Sequence, residues 1–330
     1  MKKLNFPYLT AIGRIFWKQP ALMDVAKSFV YSENKHRQWS KRTLENYQIL
    51  IKHYRGYEPK AEIRNIDEEW TDNFVTYLYD KGLRNSTIGL LLQEQRAVLK
   101  WAANEGYDVQ RCALHYCPRL KNVNNPSNVV ALTPVELTKL LELEIESSSL
   151  RASRDIFCFC CLTSLRYSDV KQLKWCNIVD GWIELISKKT SEPLHIPLNS
   201  QASAIIRRYK RSTTKNTDKV LPVVSCVNYN QNIKKIAQMA GLNRMITKVW
   251  FVGAKRHESS LPLHQVISSH VGRKTFVTLA LSSGMPADVL CSFTGHKDSR
   301  QLKHYYNITR EEQTRWMLHL GGKCDGKYNN

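Results

Sequence analysis

No run in these 330 residues approaches the roughly 18 consecutive apolar positions that a membrane-spanning helix needs. The first twenty residues carry some apolar side chains, but Arg14 and Lys18 interrupt them and no small-residue cleavage site follows. A secretory leader is therefore not expected. A paired cysteine framework is missing too. The nine cysteines are odd in number and irregularly spaced. Cys158 and Cys161 form a C-x-x-C, but they sit in the apolar run IFCFCCL with no second ligand pair at zinc spacing. Buried thiols in a reducing cytoplasm are expected rather than disulfides or a metal site. There is no G-x-x-x-x-G-K-[ST] loop, hence no sign of ATP use. Internal repeats and low-complexity tracts are absent.

Acids are scarce relative to bases. Lys+Arg number 49 and Asp+Glu 29, a net charge of +20, which points to a polyanionic partner, most commonly nucleic acid. The excess is uneven. Residues 201–250 hold ten basic residues against Asp218 alone, and residues 1–50 hold nine against three acids. Residues 101–150 are slightly acidic, with four bases and six acids. Two basic regions separated by an acidic stretch suit a protein that grips double-stranded DNA from two sides. At 42% hydrophobic residues the chain is globular, and it is long enough for two domains with separate cores.

Pro118, Pro126, several Asn and a Ser break the helical patterning over 117–129, so a linker is expected there. It separates a short basic tail (1–20) and a helical domain (21–116) from a second domain (130–322) and a final tail (323–330). Segments near 21–34, 40–55, 67–80 and 85–105 read as amphipathic helices, with Ser40, Asp67 and Asn85 or Ser86 as N-caps. Beyond the linker, Thr133-Pro134-Val135-Glu136 is a capping box with proline at the first helical position. An apolar helix over 154–163 and a short one capped by Ser168 should follow, then a β-hairpin in GWIELISKKTSEPLHIPL. Helices are expected near 200–211, 228–240, 268–283 and 286–293, whereas 244–266 shows only weak patterning and reads as an irregular insertion. The second domain is thus mainly helical with a small sheet.

Three clusters could carry chemistry. Arg166 lies in LTSLRYSDVKQLKW, His270 and Arg273 share a helix face in SHVGRKTF, and His296 precedes the pair Tyr305 and Tyr306 in TGHKDSRQLKHYYNIT. Their chemistries agree. Two guanidinium forks match the non-bridging oxygens of a phosphodiester in transfer. Histidines donate hydrogen bonds or move protons, a lysine can protonate a leaving oxygen, and a tyrosine hydroxyl can attack phosphorus if positive charge or a base assists it. Only Asp169 and Asp298 stand near these clusters, too few acids for a two-metal site.

The order and spacing resemble the tyrosine recombinase (phage integrase) family. Its pattern is an Arg in a T-G-L-R-x-x-E-L-like box, a Lys on a β-hairpin, H-x-x-R, then L-G-H followed nine residues later by the nucleophilic Tyr. Here these read T-S-L-R-Y-S-D-V with Arg166, K-K-T, H-V-G-R with His270 and Arg273, and T-G-H with His296, which places Tyr305 at the nucleophile. Tyr306 is the alternative. On the hairpin Lys189 precedes Thr190 as in the family, with Lys188 as the alternative; if the pair lay on a strand, only one would face DNA. V-A-L-T-P-V-E-L at 130–137 looks like the family's opening of the catalytic domain. Ser164 and Asp169 depart mildly from the family's Gly and Glu.

The resemblance implies a mainly α fold: a helical core-site DNA-binding domain, then a mostly helical catalytic domain with a small antiparallel sheet, closing on duplex DNA as a C-shaped clamp. It implies catalysis by Tyr305, Arg166, Lys189, His270, Arg273 and His296 through a 3′-phosphotyrosyl intermediate, without cofactor or metal. It also implies a homotetramer acting on two DNA sites, from a chain that is monomeric in free solution. Asp169 would orient neighbouring backbone. The segment EEQTRWMLHL reads as a helix docking on a neighbouring protomer or closing its own domain. With only about 20 residues before the first helix, a separate arm-binding domain is not expected, which favours an invertase, a resolvase or a compact mobile-element integrase. A type IB topoisomerase-like enzyme and a non-catalytic DNA-binding protein on the same fold are the rival functions.

Overall fold

The computed structural model describes residues 20–121, 129–210, 218–222, 225–300 and 302. They fall into two compact units: 1–123 together with 249–257, and 124–248 together with 258–330.

The first unit contains α1 (Leu22–Arg37), α2 (Lys41–Tyr57), α3 (Glu68–Asp80), α4 (Asn85–Asn104) and the short α5 (Arg111–His115). Its core is built from the apolar faces that the periodicity marks, with Tyr54, Phe74, Leu78, Leu91, Val98 and Leu99 essentially inaccessible. Ser40 and Asp67 act as N-caps, accepting from the backbone N–H groups of Thr43 and Trp70. Asn85 does not cap α4, and neither does Ser86; the cap position is Arg84, with no side-chain bond. The buried Asn85 amide instead accepts from Gly253 N–H (2.8 Å) and donates to the carbonyls of Gly253 (2.9 Å) and Lys121 (2.7 Å). Three backbone partners satisfy it more fully than one helical N–H would.

The second unit opens with α6 (Pro134–Glu142), whose capping box is complete: Thr133 Oγ1 accepts from Glu136 N–H and the Glu136 carboxylate from Thr133 N–H. Next come α7 (Ser148–Thr163), the single-turn α8 (Tyr167–Val170), strands β1 (Ile178–Val179), β2 (Trp182–Ile186) and β3 (Pro193–Pro197), then α9 (Ser200–Lys210) and α10 (Cys226–Met239). The outer parts of strands β4 (Met245–Val252) and β5 (Lys255–Pro262), with α11 (Leu263–Val266), α12 (Ser269–Ser282) and α13 (Ala287–Thr294), complete it, while the tip of the two strands, 249–257, belongs to the first unit.

Helix α7 is its axis, packed against α6, α9, α10 and α12. From Ile156 to Cys161 it is buried on every side, as a helix apolar all round must be. Burial pushes the thiols of Cys158 and Cys160 up to about 12, so they behave as small hydrophobes. Arg154, also buried, donates to the carbonyls of Leu140, Leu141 and Leu143 at the end of α6 and to Asp155. Asp155 in turn accepts from Arg208 and Tyr209 of α9. The charge pair is tolerated because nearly every donor has an acceptor.

Several expectations need correction. Helix α7 begins at Ser148 with Ser147 as cap rather than near 154, because its polar first turn hides the start from a hydrophobicity pattern. Ser168 does not cap α8; Arg166 holds the cap position and Ser168 lies inside the turn. Residues 244–266 are not irregular. They form the two-stranded β4–β5 sheet and α11, and the strands were hidden because β4 is half-buried along most of its length instead of alternating. Residues 122–128 of the expected linker, Arg211, Lys215, both terminal tails up to 19 and from 323, and the EEQTRWMLHL segment lie outside the described residues.

Candidate active site

Every site residue that the sequence singles out and the structure describes stands at the end of an element in the second unit. Arg166 is the last of the three residues between α7 and α8 and holds the cap position of α8. The next residue, Tyr167, stacks on Tyr229 of α10 at 4.1 Å between ring centroids. Arg166 Nη1 donates to Ser187 Oγ at 3.2 Å and lies 3.9 Å from Asp169 Oδ2. Asp169 is fully buried, and its Oδ1 accepts from Lys188 N–H at 2.9 Å. One carboxylate thus ties the arginine to the β2–β3 turn.

That turn is closed by Ser187 N–H donating to Glu192 C=O at 2.9 Å, and it contains both lysines. Lys188 and Lys189 lie in the turn and not on a strand, so the alternation argument does not apply to them. Both are exposed. Lys188 commits its backbone N–H to Asp169, whereas the charge of Lys189 is close enough to His270 to depress that imidazole.

His270 and Arg273 lie in the first turns of α12. His270 titrates below its ordinary value through partial burial, then through the charges of Lys274, Arg273, Arg166 and Lys189. Arg273 is buried; its Nη1 donates to Ser164 C=O at 3.0 Å and its Nη2 to Thr294 C=O. Nη2 also meets His296 Nε2 at 3.4 Å. His296 follows α13 through Gly295, whose φ of +61° turns the chain. A side chain there would be strained by the positive φ, and its Cβ would stand 3.0 Å from Leu194 Cδ2, so glycine suits this corner against β3.

Burial, Arg273, Arg166 and His270, in that order, pull the His296 pKa down to about 4. The structure thus brings Arg166, Lys189, His270, Arg273 and His296 together. Tyr305 and Tyr306 lie outside the described residues. Among the described residues no group of acids, His and Cys could hold a metal, and no helix is long and apolar enough to cross a membrane.

Three features escape a sequence reading, and a fourth is visible there without its cost. Ser187 and Thr294 are anonymous hydroxyls until the turn and the α13 terminus place them beside Arg166 and His296. Gly272 lies where α12 crosses α7: a Cβ would fall 2.9 Å from Cys160 Cβ and 3.4 Å from Phe157 C=O. Ser164 adopts φ +63° and is fully buried with its hydroxyl unpaired, so replacing the family's glycine costs about 1–2 kcal/mol rather than being mild.

The phage integrase family profile matches residues 131–312, and the phage integrase SAM-like domain profile matches residues 21–113. The chain belongs to the phage integrase family, the tyrosine recombinases. Its fold is similar to that of the Tn1549 transposon integrase in complex with transposon right end DNA, at 16% identity and a TM-score of 0.69, covering 90% of this chain and 99% of that one. It is similar to lambda integrase in a tetramer bound to a Holliday junction, at 17% identity and a TM-score of 0.65, covering 94% and 81%. A third likeness is to the XerH site-specific recombinase bound to palindromic difH substrate, at 17% identity and 0.65, covering 90% and 85%. Comparison with curated protein sequences finds no match.

For this family member, two measurable consequences follow. Gly272→Ala is expected to destabilise the chain by about 1–3 kcal/mol in urea unfolding, because the clash is with a Cβ and a backbone carbonyl that cannot swing away. That exceeds the roughly 1 kcal/mol an alanine gains in helix propensity; unchanged or raised stability would show that α12 does not cross α7 this closely. The second concerns protonation. Unfolded, His296 takes up its proton near 6.5, and folded only near 4. Unfolding therefore takes up a proton between these values, and stability falls as pH drops from 6.5 toward 4. A histidine NMR titration of the DNA-free protein should place the His296 midpoint near 4, and a midpoint at 6.5 would contradict the crowding of positive charge around it.

Proposed function

We propose that this recombinase binds double-stranded DNA at a specific site and cleaves one strand with Tyr305. The tyrosine oxygen bonds to phosphorus, the bond to the 5′ oxygen breaks, and the products are a 3′-phosphotyrosyl linkage and a 5′-hydroxyl. The observation that carries this reading is the convergence of Arg166, Arg273, His270 and His296 on one surface with the Lys189 charge beside them. The two guanidinium groups supply charge-assisted donors for the non-bridging oxygens. Burial and the surrounding cations hold both histidines below the ordinary imidazole range, so either can take the tyrosine proton. Exposed Lys189, on its turn, can give a proton to the leaving 5′ oxygen. Attack by a second 5′-hydroxyl reverses the step, and the linkage conserves the bond energy, so rejoining needs neither ATP nor metal.

Residues 21–116 are assigned to core-site DNA binding and 130–322 to catalysis, joined by 117–129. By analogy with lambda integrase, solved as a tetramer bound to a Holliday junction, four protomers would act on two sites, from a monomer in free solution. The reducing cytoplasm, where nine thiols stay reduced, suits the enzyme.

The test is to incubate the protein, in EDTA and without ATP, with nicked duplexes tiled across the flanks of its gene. A covalent, detergent-resistant and protease-sensitive protein–DNA complex at a defined position supports the reading. Relaxation of any supercoiled plasmid, with no preferred position, would make it a topoisomerase instead. Binding without covalent product would make it a DNA-binding protein only.

A further inference from the structure

The hydrogen bonds around His296 leave one arrangement of protons. Thr294 Oγ1 lies 2.8 Å from Leu290 C=O and 2.8 Å from His296 Nδ1. A hydroxyl has one proton, and the carbonyl can only accept it. With the Thr294 proton directed to Leu290 C=O, or to Cys291 C=O at 3.4 Å, the hydroxyl oxygen is available to accept from Nδ1–H. On the other side of the ring, Nε2 lies 3.4 Å from Arg273 Nη2. A guanidinium has only donors to offer, so a proton on Nε2 would face another donor. The Arg273 side of the ring requires, and the Thr294 side accommodates, one neutral form, with the proton on Nδ1 and the lone pair on Nε2.

We infer that Thr294 is a positioning residue that fixes His296 as the Nδ1–H tautomer and presents Nε2 to the site as an acceptor. The family pattern has Leu where this chain has Thr294, and leucine cannot accept from Nδ1. The hydroxyl is fully buried at the last residue of α13, so solvent does not compete for it. One functional consequence is a defined order. Nε2 can donate to a phosphate oxygen only after it has taken a proton, which makes His296 a proton acceptor first and an oxyanion donor second. This assignment of role rests on the recombinase reading above; the tautomer itself does not.

The experiment keeps the two apart. In DNA-free protein labelled with 15N-histidine, long-range 1H–15N spectra at pH 7 distinguish the tautomers, with the His296 signal identified by its loss in His296→Gln. Wild type and Thr294→Ser should show Nδ1 protonated. Thr294→Val, which matches threonine in shape, should move His296 to the Nε2–H form without loss of the folded spectrum. Covalent cleavage by Thr294→Val should fall by at least about tenfold and change its pH profile, since a misplaced tautomer is costly in other imidazole-dependent sites, while Thr294→Ser restores both. An Nε2–H signal in wild type, or a Thr294→Val protein that keeps the Nδ1–H form, overturns the tautomer assignment. A switched tautomer with unchanged cleavage and pH profile overturns the positioning role.

Discussion

Replacing Tyr305 by phenylalanine is expected to abolish the covalent DNA complex altogether, a loss of more than about 10⁴-fold in cleavage, while site binding is retained. The ring fills the same space, so any effect reports the missing oxygen. The arginines and Lys189 serve as hydrogen-bond and proton donors, and the imidazoles of His270 and His296 serve to accept or donate protons. Tyr306→Phe should keep most of the complex, because its position is one residue off the nine-residue spacing from His296 that the family pattern prescribes. Trapping on a nicked substrate, followed by gel separation, reads both variants in one experiment. Adduct formation by Tyr305→Phe, or its loss in Tyr306→Phe alone, would transfer the nucleophile to Tyr306.

Arg273→Lys should lower single-turnover cleavage by about 10²–10³-fold with much less effect on binding to the site. The charge survives this change, and what is lost is the fork. Arg273 spends two N–H groups on the carbonyls of Ser164 and Thr294 and still faces His296. A lysine ammonium is a single point on a flexible stem and cannot span both anchors while addressing a phosphate. At least one buried carbonyl then loses its partner, which should cost about 1–3 kcal/mol of stability as well. Thermal unfolding measured beside cleavage separates the two effects. Cleavage within a few-fold of wild type would mean that charge alone, without geometry, is what the phosphate needs.

Both variants touch residues that the sequence identifies without coordinates, and that is instructive about what sequence carries. Arg166, His270, Arg273 and His296 are legible because their side-chain chemistry is unusual and their order matches a family. Helices α1 to α4 and α12 are legible because an apolar stripe at 3.6-residue spacing leaves a periodic trace. The β4–β5 strands leave none, since a half-buried ribbon does not alternate cleanly. Lys188 and Lys189 look like strand neighbours in sequence, but the turn places them by the bond from Lys188 N–H to Asp169. Thr294 and Ser187 carry common hydroxyls whose value depends on what stands 3 Å away. Gly272 is read as a helix interior blemish until α7 is placed against it.

The anchoring of Arg273 has a further consequence for how this site can vary. Two of its partners are main-chain carbonyls, and no codon change deletes a carbonyl. Side-chain scanning around the site would thus miss these two anchors of the arginine. Heritable change can reach these anchors only by bending the path of the chain, at Ser164 and Gly295, where the backbone takes left-handed dihedrals. A library meant to retune the enzyme can randomise the side chains facing DNA and leave those two corners alone.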